Sequence, residues 1–388
     1  MRVLHTSDWH LGRRLERHDR LEEHRAVVDS VVAIAAAEGA DLVLHSGDLF
    51  DRAVPPVEAL RLGLEGLVRL ADGGTRPVVV VAGNHDSPEL FETLAPFLAP
   101  FGVHLVGRIK PPDEGGIMSL DTANGRAHVA CFPFLRAAQT VDFMVRADDW
   151  YSTYAERVRK ITERYAAALG EAAGPDDATF VVAHFMVGGV KVNTAAPRGE
   201  RDLHMGEAYA AAESAVPTTV DYVALGHIHA PQKAPGARVP AEYAGSLLQL
   251  DFGEAGEVKR VVVVDTSPDA PASIRSVPVS GGRPLIRVEG TWEEIAGRDD
   301  LDDAYLDLAV RTDGPDPGLM DVVRERFPDV VKVRAEYDRS RDARPTTTGR
   351  PLDDLYADYH REVHGEAASD DLMDLFREIT LEVADASD

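Results

Sequence analysis

Five places in the first 229 residues combine histidine, aspartate and one asparagine directly after an apolar run. They read Asp8-Trp9-His10, Gly47-Asp48-Leu49-Phe50-Asp51, Gly83-Asn84-His85-Asp86, Ala183-His184 and Gly226-His227-Ile228-His229. The preceding runs are Val3-Leu4, Leu42-Val43-Leu44, Val78 to Val81, Phe180-Val181-Val182 and Tyr222-Val223-Ala224-Leu225. Imidazole, carboxylate and amide oxygen together suit manganese, iron or zinc, whereas magnesium prefers an all-oxygen shell. Two such cations about 4 Å apart lower the pKa of a water and clamp phosphoryl oxygens, which is what phosphoester hydrolysis needs. One Gly-Asp or one Gly-Asn-His says little. All five in order point to a two-metal phosphoesterase, with Mn²⁺ the expected ion.

A bridging carboxylate must hold the two cations together, and Asp48 in its Gly-Asp turn is the choice. Asp8 and His10, two apart on an extended segment, point the same way and grip one metal. Asn84 offers a neutral oxygen to the second, His227 and His229 share one strand face, and His184 completes the set. His85 stands beside Asn84 and is expected to point away from the metals, as a proton donor to the leaving oxygen. Asp51 and Asp86 are candidates to orient His85, with a turn or capping role as the alternative for Asp86. His5 and His45 lie inside strands and read as structural. Cys131, the single cysteine, reads as an inert core thiol, and one cysteine fits a reducing cytoplasm.

Ligands at the carboxyl ends of several strands gather on one rim of a sheet, so the fold class is α/β. Residues 1–281 alternate strands and helices, with helices at about 20–38, 56–71 and 88–99, the pattern of a layered domain. The second helix carries Val57, Leu60, Leu64, Leu67 and Ala71, with Leu62 and Leu70 on another face. With Phe91, Leu94 and Phe97 this is more apolar surface than one sheet requires, so a homodimer face stands beside extra core burial as its explanation. The polar stretch from 185 to 215 suits a substrate loop. Glu242-Tyr243-Ala244-Gly245 and Val261 to Val264 restore strands and imply that the domain ends in a second sheet.

Ser280-Gly281-Gly282 is a hinge candidate, and residues 283–343 read as a small α+β module. Residues 350–388 hold two acidic helices. Leu352, Leu355, Tyr356, Tyr359 and Val363 mark the first; Leu372, Leu375, Phe376, Ile379 and Val383 repeat its offsets. They can pack on each other, on the body or on a partner, for which Leu355, Tyr359, Phe376 and Ile379 are the expected anchors.

A chain of 388 residues favours two or three domains. No apolar run approaches the ~20 residues of a membrane span, and the opening residues enter a strand directly, so neither a membrane segment nor a signal peptide is expected. The net charge of −25 opposes non-specific attraction to nucleic acid. Yet whole-chain charge does not decide what one cleft binds, and two divalent cations make a cleft locally positive. Arg13, Arg14, Arg17, Arg20 and Arg52 follow the first two motifs, either as a solvated face or as contacts to a phosphate backbone.

The opening Met1-Arg2-Val3-Leu4-His5-Thr6-Ser7-Asp8-Trp9-His10-Leu11-Gly12, with Gly-Asp-Leu-Phe-Asp at 47–51 and Ala-Leu-Gly-His-Ile-His-Ala-Pro-Gln at 224–232, resembles the SbcD family. These nuclease subunits of bacterial SbcCD complexes are Mre-type double-strand-break repair nucleases of the calcineurin-like metallophosphoesterase superfamily. Tyr243-Ala244-Gly245-Ser246 and Arg-Glu-Arg-Phe-Pro at 324–328 narrow the likeness to that family, across nearly the whole chain. It implies a layered β-sandwich flanked by helices, a small α+β capping domain at 283–343 and a C-terminal helix–loop–helix at 350–388. One metal would take Asp8, His10, Asp48 and His229, and the other Asp48, Asn84, His184 and His227. His85 would be the catalytic histidine, and position 51 is Asp, as in bacterial members. The resemblance further implies two Mn²⁺ ions, a homodimer, an SbcC-like coiled-coil ATPase partner, and DNA as substrate. The implied activities are 3′-to-5′ exonuclease on duplex ends and endonuclease on single strands or hairpins. A small-molecule phosphodiesterase on the same metals, or a scaffold that has lost them, are the rival readings.

Overall fold

Each apolar run that precedes a motif forms a short strand whose side chains are buried on both faces. The computed structural model describes residues 1–136, 154–191, 210–211, 215–337 and 351–385. Within it lie β1 (Arg2–Thr6), β2 (Leu42–His45), β3 (Val78–Val81) and β4 (Val103–Val106), paired in parallel in that order. Helices α1 (Leu21–Ala37), α2 (Val57–Leu70) and α3 (Pro88–Leu98) fall where the periodicity places them. Next come β5 (Ile117–Thr122), β6 (Gly125–Phe132), α4 (Tyr154–Ala172), β7 (Ala178–His184), and the short pair β8 (Met186–Val187) and β9 (Ala210–Ala211). The domain closes with β10 (Tyr222–Gly226), β11 (Gln232–Lys233), β12 (Ala241–Tyr243), β13 (Arg260–Ser267) and β14 (Ala270–Pro278).

Two six-stranded sheets result, one in the order β14-β13-β1-β2-β3-β4 and the other β11-β12-β10-β7-β6-β5. Alternation along each strand divides its residues between two cores. Val3, Leu44 and Val79 from the first sheet meet Val129, Phe180 and Ala224 from the second. Leu4, Val43 and Val80 turn outward onto Val28, Leu67 and Phe91 of the helices. On the far side, Ala130, Val181 and Val223 pack with Ile161 and Tyr165 of α4. A strand covered on both faces is continuously apolar, which is why these runs do not alternate in polarity.

One expectation about the sheets is corrected. The run Val261 to Val264 does not extend a second sheet; it returns to the first, antiparallel to β1, with Val3 opposite Val264 and His5 opposite Val262. There β13 covers what would otherwise be the open edge of β1, and Val262 and Val264 point into the inter-sheet core. Of the surplus apolar residues, Leu60, Leu64 and Leu94 are half-buried against the helical core, whereas Phe97 is 69% exposed.

The described residues cluster into two compact units, Met1–Ala309 with Leu319–Arg334, and Val310–Gly318 with Ala335–Asp388. A three-stranded sheet joins β15 (Leu285–Gly290), β16 (Tyr305–Arg311) and β17 (Val330–Glu336). In the second unit the helices Leu352–His364 and Asp370–Asp385 pack on each other. Tyr356 stacks on Phe376 with ring centroids 4.1 Å apart, and Arg377 reaches Asp353 at 2.6 Å. Gly365, left-handed at φ 74°, ends the first helix, and the Ser369 hydroxyl accepts from the Leu372 amide at 3.4 Å to start the second. Phe376 is therefore occupied within the pair, while Leu352, Tyr359, Val363, Leu375 and Ile379 stay exposed.

The arginines after the first motif divide, with Arg14 and Arg17 exposed and Arg20 buried. Arg20 is buried, giving two bonds to the Glu23 carboxylate (3.0 and 2.8 Å) and one to the Gln249 carbonyl at 2.5 Å. The Tyr305 hydroxyl donates to Glu23 at 2.9 Å and the Arg283 amide at 2.8 Å, so this pair ties α1 to β16. Burial alone would push the Glu23 carboxyl up, but Arg20 and these bonds hold it below the usual range. Arg17 donates to the carbonyls of Pro328 and Val330, and Arg13 to Asp51. Removing one member of a buried pair leaves an uncompensated charge, which costs about 3–5 kcal/mol. Arg20→Ala should lose about that much in urea denaturation; a loss below about 1 kcal/mol would show that water replaces the guanidinium.

Candidate metal centre

The side chains singled out by their spacing do come together, but by a different backbone route. β1 stops at Thr6, and Asp8 and His10 are both left-handed, at φ 50° and 45°, rather than extended. Asp48 follows at φ 52° and His227 at φ 93°, so His227 and His229 lie on a turn beyond β10 and not on a strand face. The turns are laced together: the Asp8 amide donates to the Gly47 carbonyl at 2.9 Å, and the His10 amide to the Asp48 carbonyl at 3.0 Å. Gly83 has a steric reason, since a Cβ there would overlap the Asp48 carboxylate.

Two lobes share one floor. In the first, the Nε2 atoms of His10 and His229 face each other at 3.1 Å, and His10 Nε2 lies 3.6 Å from Asp48 Oδ2. In the second, Asn84 Oδ1 sits 2.9 Å from both His184 Nε2 and His227 Nδ1, and His184 Nε2 lies 3.4 Å from Asp48 Oδ2. Asp48 stands between them, and Asp8 has an oxygen within 4.8 Å of donors in both, grouping with His10 and His229 and with Asp48 and His184. The first sheet supplies Asp8, His10, Asp48 and Asn84, and the second His184, His227 and His229.

This donor set fits divalent cations. The Nδ1 of His229 faces the Glu254 carboxylate at 3.1 Å and so carries the proton. Its Nε2 lone pair is then aimed at a second imidazole nitrogen beside two aspartates. Such a group of lone pairs is stable around a cation and poorly satisfied without one. The carboxylates also draw positive charge to this point. Burial pushes the His184 imidazole down, but Asp48 more than reverses this and raises it to about 9, while Asp48 lies well below the carboxylate range.

His85 is near this centre but directed differently. Its amide donates to Asp48 Oδ1 at 2.8 Å, and its Nδ1 meets the backbone carbonyl of Asp51 at 2.9 Å. The Asp51 carboxylate lies within 4.8 Å of a ring nitrogen of both His10 and His85, whereas Asp86 is taken up by backbone amides. The Asp51 carboxylate is drawn to Arg13 at 3.2 Å and faces His10 Nδ1 at 3.6 Å; burial raises its pKa, but these neighbours bring it to about 2. Asp86 accepts from the amides of Leu49, Phe50 and Gly83 at 3.1, 2.9 and 2.9 Å, which is the turn-holding alternative. Burial and the nearby Asp48 raise its pKa to about 7.

Two residues had no sequence signal. Glu254 stands behind His229, and the Phe134 ring stacks on His227 at 5.9 Å between centroids. Elsewhere in the interior, His5 bonds Tyr222 and Ser46, the Trp9 ring packs on His45, and burial pushes the Cys131 thiol up to about 12. Most of the proposed substrate loop, 192–209 and 212–214, lies outside the described residues. Among the described residues no helix is long and apolar enough to cross a membrane.

Known proteins are similar to this chain in sequence. Residues 1–231 match the calcineurin-like phosphoesterase family, and residues 282–379 match a family described as the type 5 capsule protein repressor C-terminal domain. The chain is 30% identical to the SbcD subunit of the nuclease SbcCD of Bacillus subtilis (strain 168), covering 98% of this chain and 97% of that protein. It is 29% identical to the protein of the same name from Rhodobacter capsulatus, over 81% of each chain. Among solved structures, a dimetal phosphatase from Danio rerio is similar at 12% identity and a TM-score of 0.39, over 72% of this chain and 99% of that one.

Proposed function

Because the chain belongs to the calcineurin-like phosphoesterase family, and within it to the SbcD nucleases, we propose that it is a metal-dependent nuclease that hydrolyses DNA phosphodiesters. The observation that carries this reading is the convergence of six donors from two sheets around Asp48. Asp8, His10, Asp48 and His229 hold one divalent cation, and Asp48, Asn84, His184 and His227 the other, with Mn²⁺ the preferred ion. When bound, the pair supplies a water activated near neutral pH and charge relief on the phosphoryl oxygens.

The chain's own residues do the rest. Asp48 bridges the lobes, and its Oδ1 also fixes the turn that carries His85. With Nδ1–H donated to the Asp51 carbonyl, His85 exchanges its working proton through Nε2, which serves the departing alkoxide. Asp51 takes a supporting part, holding His10 and Arg13 at the floor of the cleft. The acidity of the chain as a whole does not govern this cleft, because the cations reverse its local sign.

Residues 283–343 form a capping domain that follows the nuclease domain of residues 1–281, and residues 350–388 dock the coiled coil of an SbcC-like ATPase. The anchors for that coiled coil are the exposed Leu352, Tyr359, Val363, Leu375 and Ile379 rather than Phe376. Homodimerisation uses helices near the start of the chain, α2 with its surplus leucines and α3 with its exposed Phe97, and the enzyme works in the cytoplasm as a 3′-to-5′ exonuclease on duplex ends and an endonuclease on single strands or hairpins.

The test is to incubate the Mn²⁺-loaded protein with duplex DNA, hairpin DNA and cyclic nucleotides in parallel. DNA cleavage that disappears with a chelator and returns with Mn²⁺ is expected. Turnover of cyclic nucleotides alone would replace this reading with the small-molecule phosphodiesterase.

A further inference from the structure

Behind His229 lies a built arrangement that catalysis as described does not use. Glu254 closes the short turn Phe252–Glu254 and is 4% exposed. Its Oε1 accepts from His229 Nδ1 at 3.1 Å. Its Oε2 is taken by the Leu250 amide at 3.0 Å, the Ser246 hydroxyl at 3.3 Å and the Lys259 ammonium at 2.7 Å. Lys259 is itself buried, and its Nζ also donates to the His229 carbonyl at 3.1 Å. The same lysine thus holds the backbone of His229 and the carboxylate that holds its ring. With both oxygens committed, Glu254 cannot swing into the cleft as a ligand.

We propose that Glu254, locked by Lys259, is a positioning residue that fixes His229 with its proton on Nδ1 and presents Nε2 to the cation lobe formed with Asp8 and His10. The proposal rests on the reading that His229 binds a cation. It has a consequence for the pair of lobes. The corresponding outer nitrogen of His184 is held by a neutral group, the Ser46 carbonyl at 2.7 Å. A carboxylate behind an imidazole makes it a stronger donor than a carbonyl does, and outer partners of this kind are worth roughly 10–100-fold in metal affinity. The two lobes are therefore unequal. The one containing His229 fills first and depends on Glu254; the one containing His184 fills second and does not.

The test uses the full chain and two readouts, in wild type, Glu254→Gln and Glu254→Asp. Long-range proton–nitrogen NMR of histidine-labelled, metal-free protein reads the His229 tautomer. Mn²⁺ titration followed by electron paramagnetic resonance reads the two affinities. Wild type should show His229 as the Nδ1–H tautomer and bind two Mn²⁺ in sequence. Glu254→Gln should mix the tautomers and weaken the first Mn²⁺ by roughly 10–100-fold while leaving the second unchanged. Glu254→Asp, which keeps the charge beside Lys259, should recover most of that loss, and it decides the matter if the glutamine variant does not fold. An unchanged His229 tautomer, or equal weakening of both Mn²⁺ ions, overturns the proposal. If wild type binds no Mn²⁺ while Glu254→Gln still releases the tautomer, the positioning role stands and the metal reading is what has failed.

Discussion

Asp48→Ala should abolish DNA cleavage and strip both cations together. Asp48 is 2% exposed, lies 3.6 Å from His10 Nε2 and 3.4 Å from His184 Nε2, and stands where the two lobes meet. Two divalent ions about 4 Å apart repel strongly, and a shared carboxylate is what makes that separation tolerable. Alanine also frees the His85 amide, which now donates to Asp48 Oδ1 at 2.8 Å, so the proton donor is displaced along with the metals. Elemental analysis of protein dialysed against metal-free buffer would report the loss, with circular dichroism to confirm that the sandwich still folds. A variant that retains two tightly held metals would overturn the bridging assignment.

His85→Ala is expected to behave in the opposite way. Its ring is tied to the Asp51 carbonyl and packs edge-on against His10 at 4.8 Å between centroids, so it touches the centre without completing either lobe. Both metals and DNA affinity should survive, while cleavage falls by roughly 10²–10⁴-fold, the usual worth of a positioned general acid. A substrate with an aryloxide leaving group, which departs without a proton, should recover most of the rate. Loss of a metal with little loss of rate would make His85 a ligand and leave the departing oxygen without its donor.

The candidate metal centre was legible because each proposed donor follows an apolar run, and a buried parallel strand leaves little else for such a run to be. The strands from Leu285, Tyr305 and Val330 were legible from their own apolar residues, and the helix stop at Gly365 from the glycine itself. Helix α4 carries Val158, Ile161, Tyr165 and Leu169 at helical spacing, a stripe as clear as that of α2. Other features were not legible at all. Glu254 follows Asp251, Phe252 and Gly253 in what reads as an ordinary turn, and only the fold brings it to a histidine 25 residues away. The arginines at 17 and 20 look solvent-facing in one dimension, because their acceptors at Glu23, Gln249, Pro328 and Val330 are scattered along the chain. Alternation along an extended segment was the wrong physics for Asp8 and His10. Two left-handed residues also bring side chains to one side, and a sequence does not distinguish the two routes.

That left-handed backbone bears on how this chain changes over evolutionary time. Asp8, His10, Asp48 and His227 all sit at positive φ, where a side chain costs about 1–3 kcal/mol and glycine almost nothing. Glycine at any of these positions would relieve the backbone strain and leave the cleft inert. A lineage that no longer needed to cut DNA would therefore drift toward glycine at these four turns first, ahead of His184 or Asn84, whose backbones carry no such strain. A descendant serving only as a scaffold would be recognisable by which donors it had lost and not merely by how many. Here all four positions carry donors and none carries glycine.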